Sequence, residues 1–145
     1  MKKWILILAL LSTMFASGCS LLEKANQTVD YGTQATEHLT NLREFAEQAP
    51  QMIKDAATNP ETKQELENKL LDLKKEIEQF NLSSVPSMAK DIHQQIVEKN
   101  KILLDEINKV IVNGHLALDK LQNSQIITTI SDAANLLNRI QNLGL

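Results

Sequence analysis

The chain has 145 residues, 15 Lys+Arg against 18 Asp+Glu, and a formal net charge of −3 with histidines neutral. That length suits one domain, and the acidic balance argues against nucleic acid and against electrostatic adhesion to anionic lipid. The single cysteine, Cys19, rules out an intramolecular disulfide framework.

The N-terminus reads as a processing segment. Met1-Lys2-Lys3 supplies positive charge, and Trp4 through Leu11 is an unbroken apolar run. The run is too short for a spanning helix, which needs about 20 apolar residues, and it fits the apolar region of a secretory signal. Ala16, Ser17 and Gly18 are small enough for an extended backbone to enter a peptidase groove. The Cys19 thiol that follows is the nucleophile a diacylglyceryl transfer needs. The stretch from Leu10 to Ser20 resembles the lipobox of bacterial lipoproteins, with Ala16 where Leu is most frequent. This resemblance implies a signal peptide over residues 1–18 and a single lipid-anchored domain over 19–145, with acyl chains such as palmitate on Cys19. It also implies a place on the extracytoplasmic face of the cell membrane.

Removal of residues 1–18 leaves 13 basic against 18 acidic side chains, a net charge of −5. Anchoring then falls to the lipid. Burying acyl chains contributes about 0.8 kcal/mol per methylene; one chain holds only marginally, two or three hold firmly. Trp4 and Phe15 leave with the signal, so Tyr31, Phe45 and Phe80 are the aromatics of the mature domain and its core is aliphatic.

From Ser20 to about Thr58, apolar or small residues recur at Ala25, Val29, Gly32, Ala35, Leu39, Leu42, Ala46, Ala49, Ile53 and Ala56. Steps of three and four place them on one helical face. Pro50 lacks a backbone donor and crowds the preceding turn, so a kink or a short break is expected near Gln48 to Gln51, with a break favoured. Asn59-Pro60-Glu61 punctuates the chain: Asn59 as cap, Pro60 at the first helical position, Glu61 at the positive end of the dipole. The second helix carries Leu66, Leu70, Leu73, Ile77 and Phe80 at four-three-four-three spacing. The charges around that stripe, from Glu61 through Glu67 to Glu78, have mixed signs and read as a solvated face.

Asn81 to Ser87 reads as a turn. A third helix to about Asn113 presents Met88, Ile92, Ile96, Leu103, Ile107 and Val110; Lys99 and Asn100 interrupt it, Asn100 either bonding in the core or lying at its edge. Asn113-Gly114 marks the next stop, since glycine takes the left-handed conformation that ends helices. A short helix fits His115 to Gln122. Asn123-Ser124 then caps a last helix with Ile126, Ile130, Ala133, Leu137 and Ile140 on one face, despite the strand-like composition of Ile126 to Ile130. The expected fold is all-α, an up-and-down bundle of three to four long helices behind the signal peptide.

Several short runs carry a wider resemblance: Gly18-Cys19-Ser20-Leu21-Leu22, Phe45 to Pro50, Asn59-Pro60-Glu61, Glu76 to Asn81, Asp91 to Ile96 and the Gly144-containing end. Together they are similar to a family of small helical lipoproteins from Bacillus-type bacteria with a domain of unknown function. The resemblance implies a surface location and a helical fold and brings no catalytic residues with it.

Chemistry-bearing patterns are sparse. His38, His93 and His115 have no second histidine three or four residues away and complete no Glu-x-x-His pair. His93 near Asp91 and Glu98, or His115 one turn from Asp119, makes at most a two-ligand site; solvent-facing or helix-end histidines are the simpler expectation. No serine sits in a nucleophile elbow and no glycine-rich loop cradles phosphate. The chain is therefore expected to be non-enzymatic, with no catalytic residue, cofactor or metal, and with Cys19 as its lipidation site. Its expected partners are the membrane, through that cysteine, and an envelope protein. A binder of a small apolar or lipid ligand between the helices is the alternative, and an enzyme the third class.

Overall fold

The computed structural model describes residues 18–142, with side chains from residue 26 onward. The apolar N-terminal run, the lipobox up to Ser17, the Cys19 side chain and the Gly144-containing end lie outside the described residues.

The chain is all-α, as expected, apart from one two-residue hairpin. Helix α1 spans Gly18–Ala56, α2 Pro60–Phe80 and α3 Lys90–Val110. Strands β1 (Ile111–Val112) and β2 (His115–Leu116) follow, then the short helices α4 (Leu118–Gln122), α5 (Ile126–Ala134) and α6 (Leu137–Asn142). Side-chain pairs fix the directions. Asn41 reaches Glu76 while Lys69 reaches Gln48, so α1 and α2 are antiparallel. Asn100 reaches Asn81 while Lys74 reaches Asn108, so α2 and α3 are antiparallel too. Lys99 pairs with Asp132 and Glu106 accepts from the Gln125 backbone, which sends α5 back along α3. This is an up-and-down bundle whose fourth member is α5 continued by α6.

Helix α2 follows its sequence most closely. The Asn59 side chain accepts from the backbone N–H groups of Glu61 and Thr62, at 2.9 and 3.3 Å, and Pro60 opens the helix. Leu66, Leu70, Leu73, Ile77 and Phe80 are all buried. Each such side chain stabilises the fold by about 1.5–3 kcal/mol relative to an exposed one.

Helix α1 corrects one expectation. It runs through Pro50 without a break. The missing donor belongs to a solvent-facing position: Pro50 is exposed, while Ala49 and Ala56 are buried and Ala46, Met52 and Ile53 pack partly against the core. The apolar stripe therefore stays in phase on both sides of the proline, and that packing offsets the roughly 3 kcal/mol an interior proline costs. The stripe is also broader than expected. Tyr31, Ala35, His38, Leu42, Phe45 and Ala49, spaced four-three-four-three-four, are all buried, whereas Val29 points outward.

In α3, Ile92, Ile96, Asn100, Leu103, Ile107 and Val110 are buried, but Met88 precedes the helix and is exposed. The helix ends at Val110 rather than near Asn113, and at about 1.5 Å per residue it is roughly 30 Å long. Ile111 and Val112 are extended instead, and Asn113 and Gly114, with φ of 52° and 82°, form a two-residue turn. Two successive positive φ angles at Asn-Gly belong to a type I′ hairpin turn. His115 and Leu116 are thus strand, and the helix expected from His115 begins at Leu118.

The last helix is likewise two pieces. Asn135 and Leu136 separate α5 from α6, with the Leu136 N–H bonded to Ala133 three residues back, a tightened turn that stops the α-helical ladder. The expected face nonetheless holds: Ile126, Ile130, Ala133, Leu137 and Ile140 are buried across the break. The Ser124 hydroxyl lies 3.5 Å from the Ile126 N–H, too long for a strong cap.

Candidate functional site

Two of the buried polar side chains, His38 and Asn100, join half-buried and exposed partners in one chain across three helices. His38 on α1 is 2% exposed, not solvent-facing as expected. Its Nδ1 lies 2.9 Å from Glu76 Oε1 on α2, and its Nε2 lies 3.1 Å from Asn100 Oδ1 on α3. The Asn100 amide nitrogen donates at 2.8 Å to Asn81 Oδ1, beyond the end of α2. Asn41 donates to the second oxygen of Glu76 at 3.2 Å.

The Asn81 contact orients the Asn100 amide. With its NH₂ directed to Asn81, Asn100 presents its oxygen to His38, so His38 Nε2 donates. Nδ1 faces a carboxylate oxygen of Glu76. His38 thus ties α1 to α2 and to α3 through its two ring nitrogens. Phe80 covers the ring, centroids 4.3 Å apart and planes 12° from parallel, a stacked pair. Asn100 thus lies in the core, settling the choice between core and edge. Lys99 turns outward to pair with Asp132 at 3.3 Å.

Tyr31 and His93 extend the cluster toward the start of α1. Their rings meet edge-on at 5.7 Å, and the Tyr31 hydroxyl lies 3.2 Å from His93 Nδ1. Burial pushes the Tyr31 hydroxyl up to about 12 and lowers His93, so a neutral phenol donates to a neutral imidazole. His115, at the hairpin, is exposed and stands 3.7 Å from Glu67.

Glu67 corrects the reading of the α2 charges as wholly solvated: it is buried. In the hairpin, Leu116 faces Ile111 across a non-hydrogen-bonded pair, so its N–H points away from β1. Glu67 Oε2 accepts that N–H at 2.6 Å, while Gln64 donates to Oε1 at 3.2 Å. The Leu116 bond is the main reason the Glu67 carboxyl is held below its usual range. Glu106 is lowered chiefly by the Lys109 ammonium bonded to it at 2.7 Å.

These groups give stability a definite pH sign. His93 favours its neutral form when folded, so only the unfolded chain takes up a proton first as pH falls below 6.5. Stability is expected to decline from there through the lower folded value of His93. A second decline is expected below 4.5, as Glu67 and Glu106 protonate and lose their bonds. Urea unfolding between pH 8 and 3 reads both steps. Glu67→Gln should shrink the lower one and leave the upper; an unchanged lower step would show that the Leu116 bond carries no acid sensitivity.

Surface clefts are modest. One of about 290 Å³ opens over the polar chain between Gln34, Asn41, Glu76 and Ser83, and another of about 350 Å³ lies between Gln27, Thr28 and the Val85–Met88 loop. Among the described residues no group of three or more His, Cys, Asp or Glu is placed to hold a metal ion. Likewise, no described helix is long and apolar enough to cross a membrane.

Fold and site together define an all-α bundle protein whose buried polar residues join helix to helix. The chain belongs to a family of unknown function, DUF6376, whose model matches residues 31–143. It is similar to the uncharacterized lipoprotein YybP of Bacillus subtilis (strain 168), 28% identical over 147 aligned positions covering 99% of each chain. No solved structure matches it. The resemblance seen in the short sequence runs is thereby confirmed at the level of the family.

His38 and Glu67 are the site residues that the sequence left unassigned. A signal existed for His38, which occupies one step of the spacing from Tyr31 to Ala49. Asn100 similarly falls between Ile96 and Leu103 in the stripe of α3. Nothing comparable marks Glu67, whose partner is a backbone N–H in a hairpin the helical pattern did not foretell.

Proposed function

We propose that the protein is a lipoprotein of the cell envelope, anchored through acyl chains on Cys19 at the extracytoplasmic face, whose bundle is a non-enzymatic interaction module for an envelope protein. The observation that carries the module reading is the His38–Glu76–Asn100–Asn81 chain, in which the ionisable and amide groups bond across helices. A residue committed to holding three helices in register is poorly placed to move protons to and from a substrate. The anchoring half is supported by the lipobox residues and by the name of the full-length relative, a lipoprotein.

Cys19→Ser tests the anchor without touching the described core. The variant is expected to lose incorporation of a fatty-acid probe, and to be retained only through an uncleaved signal or shed after another peptidase cuts it. A wild-type chain that takes up no probe and already fractionates as soluble overturns the lipoprotein reading. For the module, cross-linking in intact cells followed by pull-down is expected to enrich one envelope protein. Hydrolytic activity abolished by a single carboxylate substitution would return the enzyme class instead.

A further inference from the structure

The end of the bundle nearest the anchor differs from the rest of its surface. Helix α1 begins at Gly18, beside Cys19, and the α2–α3 loop returns to that same end: Val85 to Met88 face Gln27 and Thr28, and the Ser83 hydroxyl donates to Gln34 at 3.2 Å. Cys19 and Val29 are ten residues apart on one helix, about 15 Å along its axis. From Gln79 to Ala89 there is no charged residue, in a chain that is 23% charged. Three of the five large apolar side chains exposed among the described residues are here: Leu82 at 87%, Val29 at 60% and Met88 at 55%.

We infer that this loop and the adjoining turn of α1 form the face by which the bundle rests on the phospholipid bilayer that holds its own anchor. The inference builds on the lipid-anchored reading above. With Cys19 on the same helix as the patch, α1 behaves as a stiff arm. An inclined α1 brings Leu82 and Met88 to the headgroup boundary, where an apolar side chain leaves water and the hydroxyls of Ser83, Ser84 and Ser87 stay hydrated. Charge points the same way. The mature chain carries −5, so an anionic leaflet repels it on balance, and the loop is a stretch that brings no carboxylate to it. Asp30, Lys90 and Asp91 flank the patch with mixed sign. Large apolar side chains exposed at one end of the fold mark a protein or membrane contact, and proximity to the anchor selects the membrane.

The test uses the full acylated chain in vesicles of phosphatidylethanolamine and phosphatidylglycerol with brominated acyl chains. Leu82→Cys, Met88→Cys and, at the opposite hairpin end, Val112→Cys each receive a polarity-sensitive fluorophore, while fatty-acid incorporation is followed in parallel. Bromine quenching several-fold stronger at positions 82 and 88 than at 112, with a blue shift, is the expected result. Acylated protein in which all three positions are quenched equally overturns the resting face and leaves the anchor standing. A chain that takes up no fatty acid overturns both. A blue shift at 82 that vanishes as protein is diluted at constant lipid assigns the patch to a second copy and overturns the membrane contact.

Discussion

Leu73→Asp is expected to remove several kcal/mol of folding stability, whereas Lys74→Asp, one residue on, costs little. Leu73 lies in the buried stripe of α2 and lines the same cleft as Phe45 of α1. A carboxylate there loses its water and finds mostly like charge: Glu44, Asp72 and Glu76 line the same cleft, and Lys69 is the cation among them. Desolvating an unpaired charge is among the few single changes that reach this size. Lys74 points outward, and its bond to Asn108, 2.7 Å long, is a surface contact of about 1 kcal/mol or less. In a domain of this size each kcal/mol moves the melting temperature by about 4 °C, so thermal melts separate the two variants. Equal shifts, or the reverse order, would put α2 the wrong way round against α1.

His38→Leu is the second large effect, an expected loss of about 2–3 kcal/mol. Leucine fills much of the ring's space but supplies no donor, so Asn100 Oδ1, on a residue with no exposed surface, is left without its partner. Glu76, one-third exposed, recovers water and limits the cost. Asn100→Leu alone is expected to be comparably harmful, because it strands the His38 nitrogen and withdraws the donor from Asn81. The pair of changes should cost less than the sum, by about 1 kcal/mol or more, since removing both partners leaves neither unsatisfied. Denaturant melts of the four chains give that coupling directly. Strict additivity would mean that the two side chains do not act as a unit in solution.

What these variants probe also shows where sequence and structure part. The α2 stripe, its Asn59 cap and Pro60 start, the turn at Asn81, and the apolar face from Ile126 to Ile140 follow from local rules. Helical periodicity and capping chemistry act over three or four residues, so they are written in neighbouring letters. The acidic balance likewise needs no partner to be read, whereas the core, expected to be aliphatic, also takes in Tyr31, Phe45 and Phe80.

The rest depended on elements far apart in the chain. His38 is buried because Glu76 and Asn100, 38 and 62 residues away, supply oxygens to both of its nitrogens; alone on α1 it looks like any polar residue beside an apolar stripe. Glu67 is buried because a hairpin 49 residues on directs a free N–H at it. Helix α1 survives Pro50 because packing on both sides outweighs a local penalty that, taken alone, signals a break. Val29 and Met88 continue apolar patterns yet face outward, since no described element covers them. Neighbouring residues alone set which faces are apolar and where most helices start. Tertiary structure decided which polar groups are buried, since burying one is favourable only where a distant segment completes its hydrogen bonds.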